Sequence, residues 1–127
     1  MSLQEQSRKL EQDLAKLRKL QQDVVKAQQQ KRKLITQQNE NQMVKLELAE
    51  IKDDGTVYKL IGPCLVKQDL SEAKKTVEQR LKYIGGLLEE CEKQTTEFQK
   101  KFTTQQQQTL VLQQQVQQMA QQRAAGK

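Results

Sequence analysis

The sequence predicts a mostly α fold with a small β part: a long antiparallel two-helix coiled coil, joined by one β-hairpin that assembles into an intersubunit β-barrel. Three observations predict it. Apolar residues recur at four- and three-residue steps on both sides of the midpoint, the pattern of a coiled-coil seam. The midpoint stretch "TVYKLIGPCLVK", residues 56–67, holds the only proline and is dense in β-branched and aliphatic side chains, as strands are. The 127 residues are 35% hydrophobic, 3% aromatic and 30% charged, which is too poor in large apolar groups for an ordinary globular core and suits long exposed helices. The chain therefore reads as one domain with an N-terminal helix over 1–52, a hairpin module over 53–68, a C-terminal helix over 69–122 and a frayed tail over 123–127.

The first helix carries a heptad over residues 3–51. One core position runs Leu3, Leu10, Leu17, Val24, Lys31, Gln38 and Lys45. The other runs Gln6, Asp13, Leu20, Ala27, Leu34, Asn41 and Leu48. The seam is good from Leu10 to Ala27 and weakens toward Asn41; polar core residues lower stability but fix register. Leu14, Val25, Ile35 and Met43 lie beside the seam and widen the apolar stripe.

The insert opens with Asp54-Gly55, a turn signal. Thr56 to Ile61 and Cys64 to Lys67 are two short β-prone runs, and Gly62-Pro63 between them forces a tight reversal. Pro63 cannot donate a ladder hydrogen bond, so it belongs in the turn. Val57 and Ile61 are expected on one face, Tyr58 and Leu60 on the other, with Leu65 and Val66 across the turn. A lone two-stranded hairpin is marginal in water, and its edges present unpaired backbone groups. Pairing with other hairpins into a closed barrel removes those edges. The insert thus reads as an assembly module; the other reading is a coiled-coil loop packed on its own helix ends.

The second helix is stricter. One position runs Val77, Ile84, Cys91, Phe98, Gln105, Leu112 and Met119; the other runs Leu81, Leu88, Thr95, Phe102, Thr109 and Val116. Asp69 followed by Glu72 forms a capping box at its start, with Ser71 as the competing cap. Gly85 and Gly86 fall mid-helix, each costing roughly 1 kcal/mol against alanine. They mark either a bend or close approach, or a tolerated weak spot.

At a rise of 1.5 Å per residue the helices would be about 70 and 80 Å long, similar enough to fold back on each other. Residue i then faces residue 121 − i, a rough estimate from equal rise. Leu10 meets the region of Val111, Val24 meets Phe98, and Leu34 meets Leu88. The two chain ends form the tip. Leu3, Leu10, Leu14 and Leu17 come from one helix and Leu110, Val111, Leu112, Val116 and Met119 from the other. Leu14, Leu110 and Val111 exceed what a two-stranded seam needs and are candidates to meet an apolar segment of a bound chain. Fraying would release more, and Met suits adaptable contact. The plainer reading makes most of these residues seam filler.

Charge sorts by region. Residues 1–33 hold nine Lys/Arg against four Asp/Glu, residues 34–97 nine against twelve, and residues 98–127 four against none, within a net charge of +6. Basic ends attract acidic partners, or serve as a solvated face that keeps arms from clumping. The run "TTQQQQTLVLQQQVQQMAQQ" keeps the four-three spacing and reads as helix rather than low complexity.

Residue types restrict the chemistry. There is no histidine, the commonest general base and metal ligand. Cys64 and Cys91 belong to no paired motif and cannot alone make a zinc site; they read as reduced thiols of a cytoplasmic protein. No glycine-rich phosphate loop, membrane-length apolar run or secretion signal is seen. No catalytic residue, cofactor or metal is expected.

With helix, hairpin and helix in that order, "NENQMVKLEL", "VYKLIGPCLVKQDLSEAK" and "VEQRLKYI" closely resemble the β-type subunits of prefoldin, in their eukaryotic form. The resemblance covers nearly the whole chain and is strongest from Asn39 to Ile84. Two departures are Cys64, where an aliphatic residue is ordinary, and arms unusually rich in Gln. The resemblance implies an ATP-independent chaperone, a holdase built as a hetero-hexamer of two α-type and four β-type subunits. Hairpins form its double β-barrel platform. Coiled-coil tips grip nonnative proteins, actin and tubulin prominently, for delivery to the cytosolic chaperonin. Partners are then other prefoldin subunits, that chaperonin and nonnative clients, with no nucleic acid and no membrane. The competing class is a structural coiled-coil scaffold or tethering protein, which predicts a parallel dimer. Nucleic-acid binding through the basic ends lacks a stacking platform, since Phe98 and Phe102 occupy seam positions.

Overall fold

A computed structural model describes residues 2–52 and 55–126. Helix α1 spans Leu3–Glu50, strands β1 and β2 span Val57–Ile61 and Cys64–Gln68, and helix α2 spans Leu70–Ala125.

Hydrogen bonds fix where each helix starts. The Glu5 N–H donates to Ser2 Oγ at 3.2 Å, and the Gln6 N–H donates to the Ser2 carbonyl at 3.1 Å. Ser2 thus satisfies one of the first-turn donors that a helix leaves open. At the start of α2 the Ala73 N–H donates to the Asp69 carbonyl at 3.0 Å. Asp69 is therefore the cap, and Ser71 lies inside the first turn, its hydroxyl donating to Asp69 Oδ2 at 3.0 Å. The predicted end at residue 122 is passed: α2 continues to Ala125, and the Gly126 N–H donates to the Gln122 carbonyl at 2.9 Å. Good helix formers, Ala124 and Ala125, account for the extra turn.

The chain divides into a hairpin-bearing unit, Gln30–Glu92, and a terminal unit, Met1–Gln29 with Lys93–Lys127. In the hairpin-bearing unit Leu34 clusters with Ile84, Leu88 and Cys91, while Leu48 clusters with Ala73 and Val77. The later residue of α1 meets the earlier residues of α2, so the helices run antiparallel there. The expected pairing of Leu34 with Leu88 is met. Lys31, a cation at a seam position, reaches Glu92 with Nζ 3.6 Å from Oε1; at that exposure such a pair is worth about 0–1 kcal/mol.

Burial follows the two predicted seams. Every α2 seam position from Val77 to Met119 is buried or half-buried, as is every α1 position from Leu3 to Leu48 except the exposed Lys45. Of the residues expected to widen the stripe, Leu14 is half-buried, but Val25, Ile35 and Met43 stay exposed. A single partner helix covers only the narrow a/d seam, so neighbours outside it remain in water. At the base of α2 the strict heptad would place Lys74 inward. Instead Lys74 is exposed and Ala73 is buried, giving inward residues at Leu70, Ala73, Val77 and Leu81.

Candidate functional site

The hairpin is an antiparallel pair in the register Val57↔Gln68, Tyr58↔Lys67, Lys59↔Val66, Leu60↔Leu65 and Ile61↔Cys64. Its two-residue turn works because Gly62 takes φ of 58°, open to a residue without a Cβ. Pro63 fixes the second turn position near its only allowed φ. Glycine first, with positive φ, is the turn whose twist matches the strands. Gly55, at the entrance, donates its N–H to the Lys52 carbonyl at 2.7 Å. Asp54, the other half of the predicted turn, lies outside the described residues.

Cross-strand partners share a face. One face holds Val57, Lys59, Ile61, Cys64, Val66 and Gln68; the other holds Tyr58, Leu60, Leu65 and Lys67. Of its apolar side chains only Val57 packs inward, against the cluster of Leu48, Ala73 and Val77. Tyr58, Leu60, Ile61, Leu65 and Val66 are all exposed, Leu60 and Leu65 at 68% each. A ribbon this small therefore shows apolar side chains on both faces and two unpaired edges. Monomeric proteins rarely leave such contiguous apolar surface to water, and exposed strand edges are ordinarily covered or blunted. The predicted assembly residues Val57, Tyr58, Leu60, Ile61, Leu65 and Val66 are thus all brought together on one ribbon, with Pro63 in its turn.

The expected tip residues fall in the terminal unit and separate into two sets. Leu3, Leu10, Leu14, Leu17, Val116 and Met119 are half-buried, and Leu112 is buried at 8% exposure. Leu110 and Val111 are exposed at 54% each. The seam residues are thus withdrawn from water; of the three beside the seam, Leu14 is half-buried and Leu110 and Val111 face water. The polar seam positions read from the heptad come inward as a layer; the hydrogen bond within it is what the sequence did not announce. Asp13 and Thr109 are buried, Thr109 at 3% exposure, and Gln105 Nε2 donates to Thr109 Oγ1 at 3.2 Å. Gln6 Oε1 is buried with no hydrogen-bond partner among the described residues. The heptad places these polar residues inward, so their spacing was the available signal.

A cleft of about 600 Å³ opens beside that layer. Lys9, Asp13 and Lys16 of α1 line one wall. Gln105, Gln108, Val111, Leu112 and Gln115 of α2 line the other. No group of three His, Cys, Asp or Glu that could hold a metal occurs among the described residues. No helix there is long and apolar enough to cross a membrane.

The family description "Prefoldin subunit" matches residues 11–119. The chain belongs to the prefoldin family. It is 38% identical over 116 residues to the probable prefoldin subunit 6 of Caenorhabditis elegans, covering 91% of this chain and 92% of that one. It is 43% identical over 65 residues to human prefoldin subunit 6, covering 51% of this chain and 50% of that one. The crystal structure of the prefoldin β subunit from Thermococcus strain KS-1 superposes with a TM-score of 0.74 over 80% of this chain and 89% of that one, at 24% identity. That archaeal likeness shows the fold: two long helices joined by a small antiparallel hairpin. The resemblance drawn from the midpoint motifs is met, and within the prefoldins the curated relatives at 38–43% identity carry the name of subunit 6. The chain is a subunit of a chaperone family whose members assemble with one another.

Proposed function

We propose that this prefoldin subunit works as a β-type member of a hetero-hexameric, ATP-independent holdase in the cytoplasm. Its hairpin joins those of neighbouring α- and β-type subunits in a β-barrel platform. Its terminal unit contacts nonnative polypeptides, such as actin and tubulin, for delivery to the cytosolic chaperonin. One observation carries the reading: the hairpin exposes Tyr58, Leu60, Ile61, Leu65 and Val66 while anchoring only Val57. The hydrophobic contribution is about 25 cal/mol for each Å² of apolar surface removed from water, so this ribbon gains most by meeting other hairpins. A tethering scaffold expects a parallel dimer and gives the hairpin no task; antiparallel pairing within one chain supports the chaperone reading instead.

The experiment is co-purification with α- and β-type prefoldin subunits, sized by light scattering. The full chain enters a hexamer-sized particle, and that particle suppresses aggregation of chemically denatured actin. Leu60→Lys with Leu65→Lys abolishes entry while helicity by circular dichroism persists. A wild-type chain that never joins such a particle, or a particle that leaves actin aggregation unchanged, defeats the proposal.

A further inference from the structure

We propose that the cleft of the terminal unit is a binding site for extended, acidic peptide segments. The inference rests on the reading that this chain contacts nonnative polypeptides, and it names the chemistry such a contact selects.

Charge is the first observation. The terminal unit holds eleven Lys/Arg against five Asp/Glu, whereas the hairpin-bearing unit holds eleven against eleven. The whole net charge of +6 therefore belongs to the unit that contains the cleft. Within the cleft, Lys9 and Lys16 are exposed and stand on one wall. They are two helical turns apart, roughly 10 Å along the axis at 1.5 Å per residue. About three residues of extended chain cover that distance at 3.3 Å each.

The opposite wall supplies what an unfolded backbone needs. Gln108 and Gln115 line it, and each amide both donates and accepts. An extended segment, with its own N–H and C=O groups unpaired, can therefore be met without regard to its side-chain order. Val111, 54% exposed, gives the same wall an apolar patch. Its lysines select the sign of charge, its glutamines hold backbone, and Val111 takes an aliphatic side chain. Asp13 lies between Lys9 and Lys16 and opposes an anionic ligand, so it moderates affinity. Nucleic acid suits the cleft less well: no aromatic side chain lines it, and stacking is the usual means of holding single strands.

The test uses the full chain and a short labelled peptide alternating glutamate with alanine, read by fluorescence anisotropy. Its glutamine counterpart and an oligouridylate serve as comparison probes. The acidic peptide binds more tightly than the glutamine peptide, and the difference shrinks as salt rises. Lys9→Gln with Lys16→Gln weakens acidic binding roughly three- to tenfold, as expected for two exposed ion pairs. Asp13→Asn, nearly isosteric, strengthens it about two- to threefold. Circular dichroism verifies that each variant keeps its helicity. Equal binding of the acidic and glutamine peptides, indifference to the lysine substitutions, weakening by Asp13→Asn, or tighter binding of the oligouridylate overturns the proposal. If wild-type complex captures denatured actin while the two peptides bind alike, only this inference falls. If actin is not captured at all, the proposed function falls with it.

Discussion

Gln105 donates through Nε2 to the Thr109 hydroxyl oxygen at 3.2 Å, one turn further along α2. Both occupy seam positions, Thr109 at 3% exposure and Gln105 half-buried. A hydrogen bond inside a coiled-coil seam trades apolar burial for definition of register. Thr109→Val alone removes the acceptor while half-buried Gln105 can still turn toward water, so the change in stability stays within about 1 kcal/mol. Combined with Gln105→Leu it leaves no orphaned group and stabilises the helix pair by about 1–2 kcal/mol. A double-mutant cycle by urea unfolding, followed by circular dichroism, measures both.

Leu34 anchors the seam of the hairpin-bearing unit at 4% exposure, packed with Ile84, Leu88 and Cys91. Leu34→Ala empties that cluster and costs about 2–4 kcal/mol. Met43, on the same helix but 62% exposed, supplies the contrast: Met43→Ala changes the free energy of unfolding in urea by no more than about 0.5 kcal/mol. Equal losses at the two positions would contradict the assigned seam.

Gly85 and Gly86 sit in continuous helix, and a Cβ added at either meets nothing within 4 Å. No close approach among the described residues needs them. Gly85→Ala and Gly86→Ala each raise stability of the separate chain by about 0.5–1 kcal/mol, the intrinsic helix gain. Thermal unfolding of the chain alone and of the assembled complex then separates the two sequence readings. A gain kept in both marks a tolerated weak spot, and a gain lost on assembly marks a contact with a neighbouring subunit.

The hairpin turn depends on Gly62 and its φ of 58°. Gly62→Val forces a β-branched side chain into the left-handed region and destabilises the turn by about 1–2 kcal/mol or more. Amide exchange along Val57–Ile61 and Cys64–Gln68 accelerates, while the helices keep their protection. A second effect is expected at Gly55, where an added Cβ would collide with Ile51 Cγ2. Ile51 packs against the Leu48, Ala73 and Val77 cluster, so Gly55→Ala loosens the junction of hairpin and helices.

Most of the fold was legible because its determinants are local and periodic. The four-three spacing from Val77 to Met119 specifies which side of α2 turns inward, and Gly62-Pro63 specifies where the strands reverse. Asp69 and Ser71 are both good caps, so only the hydrogen bond from Ala73 to Asp69 decides between them. The cap at Ser2 is legible as Ser followed three residues later by Glu, a weaker signal than the heptad beside it. Val25, Ile35 and Met43 misled because apolar character does not reveal how wide a stripe one partner helix covers. The terminal cleft was the least legible feature. It arises where Lys9 and Lys16 of α1 come opposite Gln108 and Gln115 of α2, and no local pattern announces a gap between two helices.

Inward residues at Leu70, Ala73, Val77 and Leu81 advance by three, four and four, or eleven residues over three turns. Eleven over three is about 3.67 residues per turn, slightly more than the helix itself has, so the stripe here drifts against the left-handed sense that a strict heptad imposes. Along the first turns of α2 the inward stripe therefore lacks the left-handed bias that the strict heptad carries from Val77 onward. Ala73→Lys with Lys74→Ala would restore the strict heptad, and with it the left-handed preference, down to the first turn of α2.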